Sequence, residues 1–287
     1  MENIGNTGII PLTYSFDVDR SWGSTYLRVT QLTTNYPEFE QYVHGKKYDN
    51  LISQYFCWEE MMERFTGPKI WDLCDPNWIA NGLDIMKPVS FVHAITCASN
   101  ELTQLVKSYF PDKIVEHVPD RLDFKTFPPP RAPHQGKAQK ALWFGYIYKA
   151  YDILPQLLPS IKETGLQLHI ISNQPYSKED EVQEAITEFT IYDRSKVYEQ
   201  IKEADILLNP NSCRAYYRYR SNNKSLIGWQ LGLPVAITNE DVIRLLNPDE
   251  RNKEVAAMRP VVAQEYQIGK SAEQYRDIIH RIRQRYF

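Results

Sequence analysis

Residues 204–238 read ADILLNPNSCRAYYRYRSNNKSLIGWQLGLPVAIT, and their order of strand, loop, helix and strand decides the fold. Asp205–Leu208 and Pro234–Thr238 are short apolar runs of strand character. Between them the sequence predicts a helix over Asn222–Leu231. Ser221, Asn222 and Asn223 open it, and Gly232 supplies the left-handed residue that ends it. From Ile206 to Asn239 there is no Asp or Glu, although the chain carries 36 acids in 287 residues, and Arg214, Arg218, Arg220 and Lys224 lie inside the stretch. A helix that follows a parallel strand presents its N-terminus at the carboxyl edge of the sheet, where N–H groups and the helix dipole favour an anion. Arg214, Arg218, Arg220, Ser221, Asn222, Asn223 and Lys224 are therefore candidate ligands of a phosphate group. The plainer reading is a capped helix beside a basic surface loop.

Outward from this stretch the same alternation continues, with short β-branched runs separated by helical periodicity, which is the pattern of parallel sheets with crossover helices. The fold class is α/β. Ahead of residue 204 the second half gives strands at Ala141–Phe144, Leu166–Ser172 and Glu188–Tyr192, with helices at Tyr151–Glu163, Lys178–Thr187 and Ser195–Glu203. The first half gives strands at Gly8–Thr13, Asp49–Tyr55, Lys69–Leu73, Ala94–Cys97 and Lys113–His117. Its helices fall at Gly23–Asn35, Trp58–Phe65 and Asn100–Tyr109, the last capped by Ser99 or Asn100. Between the halves, Pro119, Pro128, Pro129, Pro130 and Pro133 stand among polar and charged residues, so regular structure should lapse there. The reading is a domain over 1–120, a linker over 121–139 and a second domain over 140–270. A final helix, Ser271–Tyr286, has a capping box in Ser271 and Gln274 and an apolar stripe of Tyr275, Ile278, Ile279, Ile282 and Tyr286. Its other face, with Arg276, Arg281, Arg283 and Arg285, is expected in solvent.

Composition excludes some functions. With 33 basic against 36 acidic side chains the formal charge is -3, so no global positive field draws the chain to nucleic acid or an anionic membrane. Cys57, Cys74, Cys97 and Cys213 form no C-x-x-C pair and do not group with histidines, and buried free thiols are expected. His44, His93, His117, His134, His169 and His280 form no close pair, and Asp17-Val18-Asp19 reads as a polar loop, so no metal site is expected. No apolar run reaches the length of a membrane span and the start lacks the features of a signal peptide. A cytoplasmic protein is expected.

The segment ADILLNPNS…NNKSLIGWQLGLPVAIT resembles the donor-binding region of GT-B glycosyltransferases of the family 4 type. ALWFGYIYKAYDILPQLLPSI resembles the opening strand, glycine turn and helix of that family's C-terminal domain. LQLHIIS resembles its next strand, and ITCASNELTQLVKSYFPDKIVEHVPDRLD the close of its N-terminal domain. The resemblance covers residues 93 to 240, and 1 to 92 match loosely. It implies two Rossmann-like domains facing a cleft, with residues 271–287 returning to the N-terminal domain. It also implies a sugar donor activated as a nucleotide diphosphate, a UDP-sugar first among them, used as co-substrate with no further cofactor. Lys149 corresponds to a basic residue on the diphosphate. Tyr192 and Asp193 fall where the nucleobase is received, with core packing of Tyr192 an equal reading. Gly23, Ser24 and Arg28 match a mobile loop over the diphosphate, or the first turn of an amphipathic helix. Where the family carries two glutamates eight positions apart, this chain has Tyr219 and Ile227.

Sugar transfer needs a base or electrostatic partner at the acceptor hydroxyl and cations on the leaving diphosphate. For the first, Trp71-Asp72-Leu73-Cys74-Asp75-Pro76-Asn77-Trp78 follows a strand and joins two carboxylates to tryptophans that can pack on a sugar ring. Asp75 is preferred to Asp72, and Trp78 is an acceptor contact; an ordinary turn with Asp72 capping backbone is the alternative. The expected partners are a nucleotide sugar and a glycan acceptor. Two other readings are a hydroxymethylated base in phage DNA as acceptor, and a non-catalytic protein that binds nucleotide sugars or glycans. No membrane insertion is expected, because residues 1–120 show no basic amphipathic face.

Overall fold

The computed structural model describes residues 4–11, 23, 25–76, 78, 79, 82, 84–210 and 215–287, with the backbone alone for 215 and 216. Ser24, Asn77, Cys213, Arg214, the Asp17–Asp19 stretch and the last two residues of the predicted strand Gly8–Thr13 lie outside the described residues. The chain forms two units. Unit 1 comprises Met1–Asp123, Arg218–Ser221 and Tyr266–Phe287, and unit 2 comprises Phe124–Tyr217 and Asn222–Glu265.

Unit 1 is built on six parallel strands: β1 (Thr7–Ile10), β2 (Phe39–Gln41), β3 (Asn50–Gln54), β4 (Lys69–Leu73), β5 (Ala94–Cys97) and β6 (Ile114–His117), in the order β2-β1-β3-β4-β5-β6. Their apolar runs are buried on both faces, as a sheet covered by crossover helices requires. Ile9, Ile52, Ile70 and Ala94 are register partners in one row and share one core with Leu32, Phe39 and the last helix. The next row, with Trp71, Ile95 and Val115, points the other way and packs on Met62, Leu102 and Val106. The helix Asn100–Tyr109 stands where the sequence placed it, with Ser99 Oγ accepting from Leu102 N at 3.1 Å. The predicted helix Gly23–Asn35 is a five-residue π-turn, Tyr26–Thr30, running into the helix Gln31–Asn35. β2 and the short helix Met86–Ser90 are additional to the sequence reading.

The last helix runs Ile268–Tyr286, three residues longer at its start than predicted. Residue 267 ends a β-bridge to Leu122, and Leu122 O accepts from Ile268 N at 3.0 Å, so the chain turns into the helix from that pairing. Ser271 and Gln274 are therefore no capping box. Both accept from Arg121 Nη1, at 3.1 and 2.6 Å. Tyr275, Ile278, Ile279 and Ile282 lie in the unit 1 core as expected, which returns the C-terminus to the N-terminal sheet, while Tyr286, the last of the predicted stripe, is exposed. Of the arginines assigned to solvent Arg285 is exposed and Arg276, Arg281 and Arg283 are half-buried, yet all four are anchored to partners in unit 1. Arg276 binds Glu38, Arg281 lies 2.9 Å from Glu116, Arg283 donates to Ile4 O and Asn50 Oδ1, and Arg285 donates to Asp112 O. Their long stems let the guanidinium heads reach the polar rim of the sheet on both sides of the stripe.

Unit 2 has five parallel strands, β7 (Lys140–Gly145), β8 (Gln167–Ser172), β9 (Ile186–Ile191), β10 (Ile206–Leu208) and β11 (Val235–Ala236), in the order β11-β10-β7-β8-β9. The single helix expected over Tyr151–Glu163 is two, Ile147–Ile153 and Leu158–Thr164, separated by the 3-10 turn Leu154–Gln156. Pro155 and Pro159 cause the break, since each sits at the opening of its turn and neither can continue the ladder of the helix before it. The helix Glu181–Ala185 is shorter than predicted, and β9 follows it without a loop. Beyond β11 the sequence reading assigned nothing before residue 271. The chain there forms Asn239–Arg244, opened by a Thr238–Asp241 capping box, and the long helix Pro248–Glu265.

From residue 124 the proline-rich stretch is irregular apart from the turn Phe124–Thr126, yet it is tied to unit 2 from Arg131 onward. Arg131 N donates to Leu231 O at 2.9 Å, His134 N to Asn252 Oδ1 at 2.8 Å and Ala138 N to Leu246 O at 3.1 Å. The buried Arg251 donates to the carbonyls of Leu245, Leu246 and Gly136. Among the described residues Cys57, Cys74 and Cys97 are free thiols, and no helix is long and apolar enough to cross a membrane.

Candidate functional site

In unit 2 the chain starts at β7, adds β8 and β9 on one side and then returns to place β10 on the other. The strand order therefore switches between β7 and β10, and ligands of open parallel sheets bind at the carboxyl ends beside such a switch. β7 ends at Gly145, whose φ of +152° favours glycine. A Cβ there would stand 2.9 Å from Lys224 Nζ and 3.1 Å from the Trp143 ring. Two groups from the end of β8 brace this turn: Ser172 Oγ donates to Gly145 O at 2.6 Å, and Asn173 Oδ1 accepts from Ile147 N at 3.0 Å.

On the β10 side, the helix Asn223–Leu231 begins without a side-chain cap at Asn222. Asn209 Nδ2 donates to Ser225 Oγ at 2.9 Å and fixes the end of β10 to the first turn of that helix. Gly228 lets the helix approach closely, because a Cβ would lie 2.6 Å from Leu207 Cδ2. Lys224 Nζ sits 4.4 Å from the centre of the Trp143 ring and 5.7 Å from that of Phe144. One basic side chain, one uncapped helix start and one glycine turn thus meet at the switch point. That is a charge and dipole arrangement suited to a phosphate.

Lys149 belongs to the helix that leaves the same turn, with Nζ 5.9 Å from the ring of Tyr146 and 5.8 Å from that of Tyr148. These two rings are stacked at 5.9 Å, and Tyr148 is 57% exposed. Tyr192 and Asp193 follow β9, which β8 separates from β7. Asp193 Oδ1 accepts from Ser195 N and Oγ at 2.9 and 2.7 Å, and these bonds hold its carboxyl below the usual range. It braces the turn before the helix Val197–Lys202.

Of the other residues predicted with Lys224, Arg218, Arg220 and Ser221 are part of unit 1, while Asn222 and Asn223 are part of unit 2. Tyr219 is buried in the unit 1 core and its carbonyl accepts from Ser99 Oγ at 2.7 Å. Arg220 Nε lies 3.0 Å from Asp75 Oδ1, and Ser221 Oγ donates to Asp120. Arg218 is exposed, its guanidinium 4.6 Å over the Tyr219 ring. The two positions that would carry the glutamate pair are thus both packed, since Ile227 is buried as well.

Arg28 and Asp72, read from the sequence as a loop cation and a possible catalytic carboxylate, form a buried ion pair. Arg28 Nε and Nη2 bind the two oxygens of Asp72 at 2.7 and 2.5 Å, while Nη1 donates to Val118 O at 2.7 Å and Asp120 Oδ1 at 3.1 Å. Thr96 Oγ1 donates to Asp72 Oδ1 at 2.5 Å. Asp72 is 1% exposed, so it offers no surface to an acceptor, and Arg28 cannot serve as a mobile arm. Gly23, at φ +83°, accepts from Leu27 N at 3.1 Å. Asp75 and the half-buried Trp78 stay at the carboxyl edge of the sheet. Beside them Tyr55 adopts a left-handed backbone at φ 68°, its N–H bound to Asp72 O at 2.8 Å and its carbonyl to Trp71 Nε1 at 3.1 Å. Nothing in the sequence signalled that conformation.

No protein-family model matches the sequence, and no curated protein matches it. Solved structures do. Sucrose-phosphate synthase from Thermosynechococcus elongatus matches with a TM-score of 0.62 at 10% identity, over 82% of this chain and 74% of that one. AviGT4, a glycosyltransferase involved in avilamycin A biosynthesis, matches at 0.61 and 11% identity, over 97% and 98%. A point mutant of S. aureus TarM, in complex with fondaparinux, alpha-GlcNAc-glycerol and UDP, matches at 0.56 and 10% identity over 80% of this chain and 55% of its own. The chain has the GT-B fold. At such identities the likeness is one of fold, and it spans nearly the whole of one GT-B protein and little more than half of another.

Proposed function

We propose that the chain is a glycosyltransferase that moves a sugar from a nucleotide-diphosphate donor, a UDP-sugar, to a hydroxyl of a glycan acceptor in the cytoplasm. The observation that carries the reading is the meeting of Lys224, the uncapped start of the helix Asn223–Leu231 and the Gly145 turn at the switch point of unit 2. When the bond from the anomeric carbon to the diphosphate breaks, negative charge develops on the leaving oxygens, and a fixed ammonium with helix N–H groups stabilises it. The fold supports the reading, as does a neighbour of the same fold whose structure contains UDP. On the acceptor side Asp75 accepts the hydrogen bond of the incoming hydroxyl, oriented by Arg220 at 3.0 Å.

Calorimetric titration with UDP, beside hydrolysis assays of UDP-, GDP- and ADP-sugars, tests this directly. Saturable UDP binding with slow donor hydrolysis is the expected result. Absence of nucleotide binding overturns the reading. Binding with no hydrolysis or transfer favours a binding protein, for which Tyr219 and Ile227 in place of two glutamates already speak. Asp75→Asn is expected to reduce turnover about ten-fold, the worth of one charge-assisted hydrogen bond, while UDP affinity stays within about two-fold of wild type.

A further inference from the structure

We infer that Trp143 is a positioning residue for the diphosphate site, holding the Lys224 ammonium over its indole face. The inference rests on the reading that Lys224 meets a diphosphate. Trp143 lies in β7 with 0% exposure, inside the core of unit 2. Its indole N–H is buried and finds no acceptor among the described residues. An unsatisfied buried donor destabilises a fold, and phenylalanine would fill most of the same space without one. Stability therefore does not explain a tryptophan here.

What tryptophan adds is the ring face most attractive to a cation. Lys224 Nζ stands 4.4 Å from the ring centre, against 5.7 Å for the neighbouring Phe144. Gly145 leaves the room, since a Cβ would come within 2.9 Å of the ammonium. A lysine on a four-carbon stem loses rotamer freedom when it binds an anion, and a stem already held in place loses less. A ring attracts the ammonium without neutralising it, as a carboxylate would, so the contact holds the cation in position for phosphate oxygens.

The test is a double-mutant cycle on the full chain, with UDP as probe and calorimetry as readout: wild type, Trp143→Phe, Lys224→Ala and the double variant. Trp143→Phe should weaken UDP binding about three- to ten-fold. Its thermal midpoint should stay within a few degrees of wild type, because the cavity it leaves is offset by removal of the orphan N–H. In the Lys224→Ala background it should change UDP affinity no further. Should Trp143→Phe fold poorly, global incorporation of fluorotryptophan lowers the electron density of the ring at constant shape. That should weaken UDP binding in wild type and leave Lys224→Ala unaffected. Equal losses in both backgrounds, or unchanged affinity in Trp143→Phe or in the fluorinated protein, would overturn the inference while leaving the diphosphate reading intact. Unchanged affinity in Lys224→Ala would remove both.

Discussion

Calorimetric titration of UDP is expected to show Lys224→Ala binding about 1.5–3 kcal/mol more weakly than wild type, roughly ten- to 150-fold, the worth of a hydrogen bond between two charged groups. Lys224 is placed for this by three independent constraints. It is the second residue of an uncapped helix, its ammonium lies on the Trp143 face, and the Gly145 turn leaves that volume open. The loss should shrink as salt rises, since the interaction is between full charges at a partly open edge. Arg220→Ala is the contrasting variant. From the sequence it belonged to the same diphosphate, but it is part of unit 1 and ion-paired with Asp75. Its loss should follow that of Asp75, in turnover more than in UDP affinity. An unchanged affinity in Lys224→Ala would take the anion site away from the switch point of unit 2.

What the sequence made legible was local. β4, β5 and the helix Asn100–Tyr109 stand at the residues predicted for them, because each is an unbroken apolar run or stripe with a turn or cap at its boundary. The place of Lys224 in the first turn of the helix after β10 was legible because the signals that set it, a strand and a helix start, are contiguous. The failures share the opposite property. Ser271 and Gln274 have the spacing of a capping box, but their partner is Arg121, some 150 positions away. The arginines of the last helix looked solvated because Glu38, Glu116 and Asn50 are remote in sequence. Trp143 read as one more apolar residue of a strand, since nothing in the strand shows what approaches its ring. Arg28 read as exposed because the two carboxylates that bury it come from β4 and from the segment after β6.

That buried arginine gives the largest expected effect on stability. Arg28→Met should destabilise unit 1 by about 3–5 kcal/mol, measured as a shift of its urea transition at neutral pH. Methionine keeps the length and the apolar stem, so the loss measures the guanidinium. Arg28 is 5% exposed, and four hydrogen bonds bind it to Asp72, Val118 O and Asp120. Burial alone would make it easier to deprotonate, yet the Asp72 carboxylate outweighs that and raises its pKa further, so the cation persists at any ordinary pH. Removing it takes the bidentate counter-charge from the buried Asp72 and one cation from Asp120. The cost is therefore that of stranded charge more than of lost contacts. For that reason Asp72→Asn added to Arg28→Met should recover part of the loss, because the amide fills the site of one carboxylate without its charge. A shift below about 1 kcal/mol in Arg28→Met, or a double variant less stable than either single one, would mean that the carboxylates are compensated by groups other than this guanidinium.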